Sequence, residues 1–138
     1  MLGLLGGGSK RAKPLVLVVD DDDGIREMLV DILHAMGVDA IDASNGPDGI
    51  KLALKMIPDL VLLDVRMPMM DGFDACHAIK SDAKGKSIPI LMVTSMDQFK
   101  DVEKALAHGA DGHIAKPLNH ANFKKKISDV LKLPSNPD

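Results

Sequence analysis

The chain has 138 residues, 46% of them hydrophobic, with a formal net charge of -3 and a pI near 5.9. That length fits one domain of ordinary size, and the acidic balance gives no general attraction to nucleic acid, whose binders carry a basic face or stripe. The lone Cys76 cannot close an internal disulfide, which fits a reducing cytoplasm, and the apolar stretch at residues 1–8 is far shorter than the roughly 20 residues that cross a bilayer.

Residues 1–13 read as a flexible tail, because Lys10, Arg11 and Lys13 follow the apolar stretch, the reverse of a secretory signal. From Pro14 on, five apolar, β-branched runs alternate with helical patterns. Leu15 to Val19 is the first strand. The helix after it takes Asp23 as N-cap, carries Ile25, Met28, Leu29, Ile32, Leu33 and Met36 on one face, and stops at Gly37. Val38 to Ala43 is the second strand. Pro47 opens the second helix, with Ile50, Ala53, Leu54 and Ile57 on its apolar face and Pro58 as breaker. Leu60 to Leu63 is the third strand, and Phe73, Cys76 and Ile79 mark the third helix after an Asp71-Gly72 turn. Ile88 to Thr94 is the fourth strand, Val102, Ala105 and Leu106 outline a fourth helix ended by Gly109, and Gly112 to Ala115 is a short fifth strand. Phe123, Ile127, Val130 and Leu131 outline the last helix, so the domain runs over residues 14–133 with a tail at 134–138.

This (βα)₅ rhythm predicts an α/β fold, and the continuous apolar runs at Leu15 to Val19 and Leu60 to Leu63 predict parallel strands covered on both faces. Right-handed crossovers then put helices on both faces and any ligand beyond the carboxyl ends of the strands. The first strand runs into Asp20, Asp21, Asp22 and Asp23, and the third into Asp64. Two carboxylates about 4 Å apart repel by roughly 4 kcal/mol at an effective dielectric near 20, a strain that a cation relieves. Oxygen-only ligands select a hard ion, and Mg²⁺ leaves coordination positions for a phosphate. The fourth strand delivers Thr94 and Ser95 to the same edge, and the fifth delivers Lys116. A carboxylate nucleophile, Mg²⁺, an ammonium and a hydroxyl are what in-line phosphoryl transfer to an aspartate requires. Asp22 and Asp23 read as loop and cap residues, and His34, His77, His108 and His120 lack metal-ligand spacing.

The stretches VLVVDDDDGIREML, PDLVLLDVRMPMMDG, PILMVTS and GADGHIAKP, in this order and each at a strand end, resemble the receiver domains of bacterial response regulators over about residues 14 to 133. The resemblance implies a flavodoxin-like three-layer sandwich whose five-stranded parallel sheet has the order 2-1-3-4-5. It makes Asp64 the phosphoacceptor and gives a metal set of Asp20, acting largely through water, Asp21, Asp64 and the backbone carbonyl of Arg66. Mg²⁺ is the implied cofactor, with Mn²⁺ as a substitute. Lys116 would pair with the acyl phosphate, Thr94 would swing in to bond it, and the Lys116-Pro117 peptide would be cis. His113 stands where an aromatic ring usually follows the threonine, which makes it a switch candidate or a half-buried polar residue. Arg66 and Met96 would tune access of the hydrolytic water.

The implied partners are a sensor histidine kinase or histidine phosphotransfer protein upstream and a protein target downstream, with no nucleic acid or membrane involved. The domain is expected in the cytoplasm, as a monomer or a weak phosphorylation-dependent dimer, acting without an output domain and catalysing only its own phosphorylation and dephosphorylation. Two alternatives compete. Asp21-Asp22-Asp23-Gly24-Ile25 resembles the start of haloacid-dehalogenase-like phosphohydrolases, with Asp21 as nucleophile, but residues 118–138 offer no further acidic metal motif and Asp64 stays unexplained. A receiver-like module that works without phosphorylation would not need every chemical position filled, as it is here.

Overall fold

The computed structural model describes residues 11–95 and 99–134. Five strands alternate with five helices: β1 (Leu15–Val19), α1 (Asp23–Ala35), β2 (Asp39–Ala43), α2 (Gly46–Met56), β3 (Leu60–Asp64), α3 (Gly72–Ser81), β4 (Ile90–Ser95), α4 (Phe99–Ala107), β5 (Gly112–Lys116) and α5 (His120–Leu131). All pairings are parallel and the strand order is β2-β1-β3-β4-β5. The flavodoxin-like sandwich expected from the sequence is thus the fold observed.

Its three layers follow from the two-residue period of the strands. Val16 and Val18 of β1, with Leu60 and Leu62 of β3, pack against Leu29, Ile32 and Leu33 of α1 and Phe123 and Ile127 of α5. Leu17, Val19, Val61 and Leu63 point the other way and pack against Ala53 of α2 and Phe73, Ala75, Cys76 and Ile79 of α3. Because β1 and β3 are covered on both faces, every residue in them is buried, including Asp64. The edge strand β2 is mostly open, with Asp39 and Asp42 exposed and only Ala43 buried.

Several local features differ from the sequence expectation. Asp22 rather than Asp23 caps α1, its carboxylate accepting from the Ile25 amide. Ile57 does not join the apolar face of α2; it is 40% exposed in a left-handed cap at φ 45°, because the following Pro58 disfavours a helical residue before it. Leu106 of α4 is 53% exposed instead of packed, and the side chains of Val102 and Ala105 lie outside the description. Ile88 precedes β4 in a turn, its amide bonding the Gly85 carbonyl. Arg11, assigned to the tail, donates to the Ile57 and Met56 carbonyls and stands 3.6 Å from Asp59, so the chain is anchored before β1 begins.

Gly72 fixes how α3 meets the sheet. A Cβ there would fall 2.2 Å from the Asp64 carbonyl oxygen and 2.8 Å from the Met92 methyl, so only glycine lets the helix start this close to the end of β3. Among the described residues no helix is long and apolar enough to cross a membrane.

Candidate phosphoryl-transfer site

Four strands end at one rim, and each contributes a polar side chain there. Asp20 directly follows β1, Asp64 closes β3, Thr94 and Ser95 close β4, and Lys116 closes β5. The register lays Ser95 opposite Lys116 and Val19 opposite Leu63, which puts Asp20 and Asp64 on adjacent central strands. Asp20, Asp64 and Thr94 are the buried polar residues of the domain's described part, at 2%, 5% and 3% exposure, while Asp21 is exposed at the mouth. One carboxylate oxygen each from Asp20, Asp21 and Asp64 lies within 4.8 Å of the others. Lys116 Nζ donates to Asp64 Oδ1 at 3.2 Å and stands 3.9 Å from Asp20 Oδ2.

The electrostatics follow from this crowding. Burial first and the Asp20 charge second push the Asp64 carboxyl up from 3.8 to about 6, with Lys116 offsetting them only in part. Asp20 is also raised, chiefly by burial, against the lowering effect of the Asp22 amide that bonds Oδ1 at 2.9 Å. Three close carboxylates opposed by one ammonium form a site short of positive charge. Their hard oxygen donors, one exposed and two buried, fit a divalent cation such as Mg²⁺.

Arg66 lines this cleft together with Thr94, Ser95 and Lys116, and also lines a neighbouring cleft with Asp71, Phe73 and Lys104. The Lys116-Pro117 peptide is cis. The sequence-predicted Asp20, Asp21, Asp64, Arg66, Thr94 and Lys116 are therefore brought together. His113 is not among them: it is exposed on β5, beside Pro117, Asn122 and Phe123, so the half-buried reading does not hold in this state. Met96 lies outside the described residues.

Arg26 escaped the sequence reading. Its guanidinium donates to the Asp20 carbonyl at 2.8 Å, to Asp42 at 2.8 Å and to Asp23 at 2.6 Å, and its side chain is only 15% exposed. The signal was slight, an arginine one turn into α1 and off its apolar face.

Comparisons with known proteins agree with this geometry. The chain is 39% identical to the chemotaxis protein CheY of Halobacterium salinarum over 84% of its own length and 95% of that protein. It is 32% identical to the DNA-binding dual master transcriptional regulator RpaA of Synechocystis over 86% of its length, and spans about half, 49%, of that longer relative. The structure of the chemotaxis response regulator CheY4 of Vibrio cholerae superposes with a TM-score of 0.81 at 32% identity, covering 86% of this chain and 99% of that one. A family model for the response regulator receiver domain matches residues 16–128, and over that stretch lie all four strand-end motifs, so the chain belongs to the response regulator receiver family and is a signalling domain rather than a conventional enzyme.

Proposed function

We propose that Asp64 is the phosphoacceptor of this receiver domain and that Asp20, Asp21, Asp64 and the Arg66 carbonyl hold Mg²⁺, with Mn²⁺ able to substitute. The observation that carries this reading is the Lys116 ammonium 3.2 Å from Asp64 Oδ1 within a cluster of three carboxylates. Lys116 favours Asp64 over Asp21: it bonds the buried carboxylate at the centre of the sheet. That is the reverse of what an Asp21-nucleophile phosphohydrolase requires.

Bound in the cluster, Mg²⁺ would neutralise charge on the incoming phosphoryl oxygens. The chain's own residues do the rest. An Asp64 carboxylate oxygen attacks phosphorus, the P–N bond of a donor phosphohistidine breaks, and the imidazole leaves with the electron pair and takes up a proton from water. Lys116, held at the end of β5, stabilises charge on the transferring group and then pairs with the acyl phosphate. Thr94, buried at the end of β4, turns its hydroxyl to the new phosphate, and His113 on β5 responds, altering the outer surface that a target protein reads. Arg66 at the rim and Met96 set how water reaches the acyl phosphate, which the domain later hydrolyses.

The donor is a sensor histidine kinase or histidine phosphotransfer protein of the cytoplasm, and the product is a changed affinity for a protein target, by a monomer or a weak phosphorylation-dependent dimer. The net charge of -3 supports protein rather than nucleic-acid contacts. Because the domain supplies most of the chemistry, acetyl phosphate should serve as a slow donor. Intact-mass spectrometry after acetyl phosphate and Mg²⁺ tests the reading: the wild type should gain one phosphoryl group and Asp64→Asn none. Turnover of generic phosphate esters without stable labelling would reject it.

A further inference from the structure

We infer that Arg26 is a positioning residue for the metal loop: it clamps Asp20 and its neighbours into the ligating conformation before any cation arrives. The inference rests on the reading that this loop holds Mg²⁺.

Asp20 is tied at three points. Its amide donates to the Ala43 carbonyl at 3.1 Å, its Oδ1 accepts from the Asp22 amide at 2.9 Å, and its carbonyl accepts from Arg26 Nη1 at 2.8 Å. The first two belong to the sheet and the loop, whereas the third comes from α1. Arg26 in turn is held by two carboxylates, Asp23 at the start of its own helix and Asp42 on the edge strand β2. A planar guanidinium with five donors can serve three acceptors at once, which an ammonium cannot do in this spread geometry. The clamp therefore ties β2, the start of α1 and the carboxyl end of β1 into one unit. Two mutually repelling carboxylates follow β1 directly, so without a clamp the loop relaxes by moving them apart.

Charge and positioning predict opposite signs, which makes the role testable. Arg26 is a cation beside a cation site, so by charge alone its neutralisation should tighten Mg²⁺ binding. As a clamp, its loss should weaken binding, and outer-shell partners of metal ligands are typically worth about tenfold or more in affinity.

The test is Mg²⁺ titration of the full chain by calorimetry, together with amide hydrogen exchange of residues 20–22 in EDTA, for wild type, Arg26→Gln, Arg26→Lys and Asp42→Asn. Arg26→Gln should bind Mg²⁺ about tenfold more weakly and exchange those amides faster without metal. Arg26→Lys should recover little, because charge without the fork does not clamp. Asp42→Asn leaves the bond to the Asp20 carbonyl but weakens its outer anchor. Because loss of an anion weakens Mg²⁺ binding by charge alone, this variant is read by exchange, where the amides of residues 20–22 should exchange faster in EDTA, and it serves if Arg26→Gln fails to fold. Unchanged or tighter Mg²⁺ binding in Arg26→Gln, or, should that variant not fold, unchanged exchange of residues 20–22 in Asp42→Asn, overturns the role. If the wild type itself took no Mg²⁺, the metal reading of the loop would fall first and this role with it.

Discussion

Lys116 Nζ lies 3.2 Å from Asp64 Oδ1 but 3.9 Å from Asp20 Oδ2, so one ammonium faces two buried carboxylates and bonds the more central of them. The pairing is not enough to hold Asp64 at an ordinary acidity, because burial and the Asp20 charge together outweigh it and leave the carboxyl near 6. The metal-free domain therefore carries an electrostatic strain at the point where the chemistry takes place.

That strain has a definite pH signature. The folded carboxyl of Asp64 holds its proton more tightly than the unfolded one, from 3.8 to about 6. Its contribution to stability is thus full below pH 3.8 and lost as pH rises through 6, a swing of about 3 kcal/mol at most. Asp64→Asn removes the charge, so in EDTA at pH 7 the variant should melt at a higher temperature than wild type, with the gap closing toward pH 4. Circular dichroism melts read this directly. Mg²⁺ should raise the melting temperature of wild type and do far less for the variant.

Replacing Lys116 by Gln should leave Asp64 and Asp20 facing each other with no cation. The expected result is a less stable metal-free domain and, with acetyl phosphate and Mg²⁺, a phosphorylation rate lower by about a hundredfold, as for loss of one preorganised charge-stabilising group. The time course of intact mass measures the rate.

Thr94→Val keeps the shape of a side chain only 3% exposed but removes the hydroxyl. Labelling of Asp64 should still go to completion, whereas the amide shift changes that phosphorylation induces around His113 on β5 should largely vanish. Nuclear magnetic resonance spectra before and after acetyl phosphate treatment separate the two effects. Equal shift changes in both proteins would remove Thr94 from the switch.

Gly72→Ala should damage both fold and site. The added methyl would meet the Asp64 carbonyl oxygen at 2.2 Å and the Val65 Cα at 2.9 Å, both backbone and unable to yield cheaply. A loss of about 3 kcal/mol in denaturant unfolding is expected, with weaker Mg²⁺ binding because the end of β3 must shift.

What the sequence made legible depended on how local the cause was. β1 and β3 were plain because a strand buried on both faces is apolar throughout, and the site was plain because each strand run ends in its polar residue. The α1 cap was placed one residue late, since four consecutive aspartates offer equal chemistry and only the path of the chain out of β1 selects Asp22. Ile57 had the spacing of a buried residue, but Pro58 turns it into a left-handed cap. The role of Arg26 was invisible because, beyond the local pair with Asp23, its partners are a backbone carbonyl and Asp42, sixteen residues away on β2. His113 was assigned by resemblance alone, and an exposed ring on β5 is a state that sequence does not specify.

The most direct measurement is to phosphorylate the full chain with acetyl phosphate and Mg²⁺, reduce the acyl phosphate with borohydride, and map the modified residue by peptide mass spectrometry. Reduction should convert Asp64, and no other residue, to homoserine, and EDTA should abolish the conversion. Homoserine at Asp21, or metal-independent labelling, would contradict the assignment of Asp64 as the phosphoacceptor.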